Sequence, residues 1–234
     1  MKFIKGVLKL VIAMLIVLAI ILGVGWFLVS TPHTKLDTTW TEEDLQSYID
    51  KLEIEFNEEH ASMEDIFAGN FVTEGVVEID TVLTSSELSA IANMSTNQNS
   101  IMKDINVKCL GNDTVEVTGV TGDLTNLITV FPQLEEFRNY FELGKNKPIY
   151  MKSTLFYDET TQKFGGTTKE MYIGKIKMPI DEANNNLRKG GTLLNDMVKS
   201  LDGFSVKSFE VTEEGFQFNG TIPKEIRSAG KFDN

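Results

Sequence analysis

The chain has 234 residues, 41% of them hydrophobic and 24% charged, with a formal net charge of −12 and a pI near 4.7. That balance excludes wholesale disorder, and the excess of acid argues against nucleic acid, anionic lipid headgroups and wall polymers as partners. The single cysteine, Cys109, excludes an internal disulfide and a structural zinc site, and His33 and His60 are the only imidazoles.

Lys2, Lys5 and Lys9 lie in a tip at 1–9, followed by Leu10–Val29, LVIAMLIVLAIILGVGWFLV, a run without a charged side chain. At 1.5 Å per residue the run spans about 30 Å, the thickness of a bilayer's hydrocarbon core. Residues 10–29 are therefore predicted to form a transmembrane helix. The run exceeds the apolar core of a signal peptide, and no A-x-A cleavage site follows it. With lysines on one flank and Asp37, Glu42, Glu43 and Asp44 on the other, the positive-inside rule puts the N-terminus in the cytoplasm and the rest of the chain outside. Residues 30–40, STPHTKLDTTW, read as a polar linker with His33 solvated, and 41–234 as one extracytoplasmic α+β domain.

Thr41-Glu42-Glu43-Asp44 has the form of a helix start, an N-cap followed by acids. Leu45, Tyr48, Ile49 and Leu52 then fall on one face at helical spacing. Val76–Val82 reads as a strand, and Thr84 and Glu87 are spaced as a capping box for the helix after it. Ile101–Leu110 and Thr114–Thr121 are predicted to pair across Gly111-Asn112-Asp113, residues that tolerate positive φ. A helix is expected over 124–143, broken at Pro132. Pro148–Tyr157 and Lys163–Met178 form a hairpin signal, Ile180 to about Ser200 a long helix, and Phe204–Val211 with Phe216–Ile222 a closing hairpin. In that last strand Phe216, Phe218 and Gly220 alternate with Gln217, Asn219 and Thr221, which predicts one dry and one wet face. The tail from Arg227 is expected to be loose. The class these elements define is α+β: an antiparallel sheet with helices against one face.

Catalytic motifs are missing. There is no GxSxG elbow, phosphate-binding Walker loop, HExxH or dinucleotide fingerprint. The acidic pairs Glu42/Glu43, Glu58/Glu59, Glu135/Glu136 and Glu213/Glu214 sit where solvated helix faces or hairpin tips explain them. The chain is expected to be no enzyme and to need no cofactor or metal. Cys109, within INVKCL, reads as a buried strand residue. What remains is apolar: Met171–Pro179 and the strands carrying Phe204, Val206, Phe209, Val211, Phe216 and Phe218 form either a plain core or a core opened into a ligand groove.

The stretches Val82–Leu88 (VLTSSEL), Met171–Pro179 (MYIGKIKMP) and Phe204 through Pro223, ending FNGTIP, resemble the YpmS-like family of small anchored proteins found mainly in Gram-positive bacteria. The resemblance implies an architecture similar to tubular lipid-binding modules, in which a curved antiparallel sheet wraps a long helix around an apolar groove. On that implication Ile180–Ser200 is the wrapped helix, with Leu187, Leu193, Leu194 and Val198 lining the groove. Ile173, Ile176, Met178, Phe204, Phe216 and Phe218 are the candidate lining residues from the strands. The expected function is a single-pass protein of the cell envelope that contacts the bilayer through 10–29 and binds a lipid or other apolar ligand outside. The alternative is a non-enzymatic accessory protein with a solid core and a protein partner in an envelope complex. Nucleic acid is an expected partner in neither case.

Overall fold

The computed structural model describes residues 27–53, 71–94, 102–122, 144–180, 195, 199 and 201–229. Both helix starts follow their capping signals. The Thr41 hydroxyl accepts the Asp44 N–H (3.3 Å), and the Asp44 carboxylate accepts the Thr41 N–H (2.7 Å), opening α1 (Glu42–Leu52). In α2 (Ser85–Met94) the Glu87 carboxylate accepts the Thr84 N–H at 2.8 Å while the Thr84 hydroxyl accepts the Glu87 N–H at 3.3 Å. These reciprocal bonds satisfy amide donors that a helix's first turn leaves without intrahelical partners.

The strands are β1 (Phe71–Glu74), β2 (Val77–Leu83), β3 (Met102–Gly111), β4 (Thr114–Thr121), β5 (Pro148–Asp158), β6 (Lys163–Ile173), β7 (Ile176–Lys177), β8 (Ser205–Val211), β9 (Phe216–Ile222) and β10 (Glu225–Ser228). All pairings are antiparallel, and they fall into three sheets: β3-β4-β5-β6-β7, β2-β9-β8 and β1-β10. The β3–β4 turn uses the residues its sequence offers, with φ of 75° at Gly111, 49° at Asn112 and 57° at Asp113.

This architecture corrects the expected fold class. Among the described residues 50% lie in strands and 22% in helices, so the fold is mostly β rather than one curved sheet on a long helix. The described helices run to 11 and 10 residues, and among the described residues no helix is long and apolar enough to cross a membrane. The predicted span, 10–29, lies outside the described residues except for 27–29. The expected helix over 124–143 lies outside them too, and of Ile180–Ser200 only Ile180, Asn195 and Lys199 are described, each helical. The physical reason for several sheets is local. β8 makes no ladder with β5; the β3–β4 turn stands between them, where Asp113 donates its N–H to Val211 O (3.2 Å) and accepts Leu155 N–H (2.8 Å). Two more expectations change. Arg227, placed in a loose tail, pairs with Val72 in β10 and forms an ion pair with Glu74. The wet and dry faces of β9 are not separated, because Phe216, Gln217, Phe218 and Asn219 are all half-buried in a central strand.

α2 performs the work of a further strand. Its residues Ser85, Ser89 and Asn93 recur every four positions, an advance of about 6.0 Å along the helix, close to the roughly 6.6 Å that two strand residues cover. The Ser85 hydroxyl accepts Cys109 N–H (3.0 Å) and the Ser89 hydroxyl accepts Val107 N–H (2.8 Å). Asn93 accepts Ile105 N–H (2.9 Å) and donates to Ile105 O (2.6 Å). The edge of β3 is thereby closed by side chains, which an open edge otherwise requires of a neighbouring chain. At the other side of the sheet the Asn195 amide accepts Phe164 N–H (2.8 Å) and donates to Phe164 O (2.9 Å). Ala90, Val107, Cys109 and Val115 are buried around the α2–β3 contact. Cys109 is the buried strand residue the sequence predicts, its thiol pushed up by burial.

Candidate membrane-facing site

The end of the five-stranded sheet formed by the start of β5 and the β6–β7 turn receives the segment that leaves the apolar N-terminal run. Residues 27–30 make one helical turn, closed by the Thr31 N–H donating to Phe27 O (3.0 Å). Pro32 follows and cannot continue it. The two-residue turn Gly174-Lys175 folds β7 back on β6, pairing Ile173 with Ile176. Gly174 donates to Pro148 O (2.7 Å), and Lys175 donates its backbone N–H to Leu28 O (2.7 Å). Gly174 has φ +59°, and a Cβ there would run into the carbonyls of Leu28 and Val29. Only glycine allows this approach.

Side chains extend the contact. Lys147 Nζ donates to Ser30 Oγ (3.3 Å), and Lys175 Nζ stands 5.0 Å from the centre of the Phe27 ring. His33 stacks flat on Tyr172, with centroids 3.6 Å apart and planes 1° from parallel, and meets Tyr150 at 5.3 Å. Tyr150 is buried and donates to Glu116 (2.9 Å), which also accepts from Lys152 (3.1 Å). Burial and the Glu116 carboxylate hold the Tyr150 phenol well above its ordinary range, so it stays a neutral donor. Further along, Asp37 pairs with Lys108 at 2.7 Å. The linker thus crosses one face of the sheet from β6 to β3. His33, expected to be solvated, is exposed but held by stacking; nothing in the linker's composition announces a partner more than a hundred positions away.

Charge is sorted along the sheet. Lys145, Lys147, Lys175 and Lys177 gather where 27–30 docks, with Asp104 at the same end of β3. The opposite hairpin tips carry Asp113, Asp158, Glu159, Glu213 and Glu214, with Lys163 among them. The net acidity of the chain conceals this polarity.

Of the residues expected to line an apolar groove, the six that are described do not gather in one place. Ile173, Ile176 and Met178 lie at the docking end, where the Met178 N–H donates to Met171 O (2.9 Å). Phe216 belongs to an aromatic chain at the other end of β6: Tyr157–Phe164 (5.1 Å), Phe164–Phe209 (5.3 Å) and Phe209–Phe216 (5.4 Å). Phe204 and Phe218 pair with each other at 6.0 Å. From Phe164 to Ile173 the strand runs about 30 Å. Leu187, Leu193, Leu194 and Val198 lie outside the described residues. Two open hollows flank Lys51. One, of about 460 Å³, is lined by Glu43, Gln46, Ser47, Asp50 and Lys51; the other, of about 540 Å³, by Lys51, Asp80, Thr81, Val82 and Gln217. Charged and polar residues make up most of both linings, whereas small-molecule sites are lined mainly by hydrophobic and aromatic side chains. Among the described residues no group of His, Cys, Asp or Glu is arranged to hold a metal ion.

No family model, no curated protein and no solved structure matches this chain, so nothing in those comparisons identifies the YpmS-like family.

Proposed function

We propose that the chain is a non-enzymatic accessory protein of the cell envelope, anchored in the membrane through its apolar run 10–29, that holds its β-rich domain in one pose at the outer bilayer surface. The observation that carries this reading is the seating of residues 27–33 on the β6–β7 turn. A domain meant to sample space on a tether needs a free linker. Here the outer end of the apolar run is bound by a backbone hydrogen bond from Lys175 to Leu28, and the residues just after it by the His33–Tyr172 stack. The lysines that precede the run and the acids that follow it support an outward domain. A lipid ligand held in an interior groove is the weaker reading, because the described candidate lining residues do not gather in one place. The accessory reading is tested by site-specific photocrosslinking in the source cells, with a photoreactive residue at Glu159 on the acidic tip. A discrete protein adduct is expected. A crosslink to lipid alone, or none at any exposed position of the tips, contradicts it.

A further inference from the structure

The β6–β7 turn puts Lys175, Ile176 and Lys177 side by side, all exposed, with Ile176 at 43%. Phe27 and Leu28, also exposed at 56% and 37%, lie against the same turn. The Lys175 ammonium rests near the Phe27 ring. This combination is unusual for a chain with a net charge of −12, whose other large exposed apolar residues, such as Val72, Met94 and Phe156, are on other elements. Cations beside exposed apolar side chains have the chemistry of a bilayer's interfacial zone: the apolar groups enter the acyl boundary, and the ammonium groups meet phosphate.

We propose that Lys175, Ile176 and Lys177, with Phe27 and Leu28, form a surface that lies on the bilayer and binds anionic lipid headgroups. The inference rests on the anchoring proposed above, and it adds a second contact with the same membrane. Three observations fix the occupant. The chain segment between this surface and residue 10 is uninterruptedly apolar, so the surface lies where the chain leaves the lipid. The backbone bond from Lys175 to Leu28 leaves little room for the turn to stand away from that level. The acidic hairpin tips are at the far end of the strands, so repulsion from an anionic surface turns them outward and attraction of the lysines holds the near end down. Whole-chain charge predicts repulsion from such lipid; the local arrangement reverses the sign at this one end.

The test uses the full chain reconstituted in vesicles, either phosphatidylcholine alone or phosphatidylcholine mixed with phosphatidylglycerol. An environment-sensitive fluorophore is placed on Ile176→Cys or, as the far-end control, on Thr160→Cys; Cys109 is buried and leaves the labelling selective. Brominated lipids report contact with the bilayer, and flotation with the vesicles reports anchoring separately. The expected result is strong quenching at 176 and none at 160, greater with phosphatidylglycerol and reduced by high salt. Lys175→Gln and Lys177→Gln are each expected to weaken the docked state about fivefold, the worth of one lysine near an anionic surface. If the chain floats but 176 is quenched no more than 160, the docking surface is refuted while the anchor stands. Quenching at 176 that is the same with and without phosphatidylglycerol refutes the headgroup recognition. A chain that does not float refutes the anchor and this surface together.

Discussion

Replacing Ser89 with alanine is a direct test of the claim that a helix takes the place of a strand beside β3. Ser89 is fully buried, and its hydroxyl accepts the N–H of Val107, itself buried at 8% exposure. The same hydroxyl donates to Ser85 O at 2.7 Å. Without it, the buried Val107 amide loses that acceptor. Stranding a buried donor costs about 1–3 kcal/mol. Alanine returns up to about 0.7 kcal/mol in helix propensity, so a net loss of about 1–2 kcal/mol is expected. Asn93→Ala removes both the donor and the acceptor offered to Ile105 and is expected to cost more, about 2–3 kcal/mol. The assay is urea unfolding of the full chain in detergent, followed by far-UV circular dichroism, with Ser86→Ala on the same helix as the control. Ser86 is half-buried, and its replacement is expected to change stability by less than about 0.5 kcal/mol. Equal stability of the Ser89 and Ser86 variants would show that β3's amides are satisfied in another way.

Three further outcomes follow from the geometry. Burial raises the Glu87 pKa, but bonds from Lys51 (2.8 Å), Ser47 and the Thr84 backbone outweigh it and hold the carboxyl below its usual range. Its contribution is therefore complete above the ordinary carboxylate pKa and lost as pH falls through the lowered value. Glu87→Gln is expected to unfold at lower urea than the parent at neutral pH, with the gap closing below about pH 4; a gap that persists in acid contradicts this. Gly174→Ala forces a β-carbon into the left-handed region and against the Leu28 and Val29 carbonyls, a strain of about 1–2 kcal/mol. Segment 27–33 should come loose, and trypsin should cut after Lys35 several-fold faster; an unchanged rate would mean the segment is held elsewhere. Cys109 should react with an aromatic disulfide reagent only as fast as the fold opens, since burial covers the sulfur and keeps it a thiol. Reaction at the rate of a free thiol would contradict its placement.

Local signals in the sequence held, and long-range ones were silent. Thr41, Thr84 and Glu87 announce their helix starts because capping is decided within four residues. Gly111-Asn112-Asp113 announces its turn because few residues accept positive φ. By contrast, β2 pairs with β9 and β1 with β10 through ladders whose halves lie far apart in the chain, and no local pattern names the partner. Phe71–Glu74 and Glu225–Ser228 are too short to show alternation, which is why Arg227 reads as tail. Expecting a single sheet on a long helix gave the closing strands and Pro148–Met178 one shared core, whereas Asp113 keeps β8 out of the β5 ladder. The serine and asparagine stripe of α2 was visible as Ser85, Ser89 and Asn93 at four-residue spacing. It reads as an edge cap only once a strand is known to lie beside it. The docking site had one legible component, the apolar run; Lys175 and Lys177 were visible but were averaged into a net negative charge.

The central claim is that the segment leaving the apolar run is bound to the sheet and does not swing free. Amide hydrogen exchange at Lys175, measured on the full chain in lipid nanodiscs, addresses it directly, since that N–H has Leu28 O as its acceptor at 2.7 Å. The account predicts exchange far slower than in an unstructured peptide, and a return toward the peptide rate in Gly174→Ala. Exchange at the peptide rate in the parent chain would contradict it, and would leave the domain on a flexible tether.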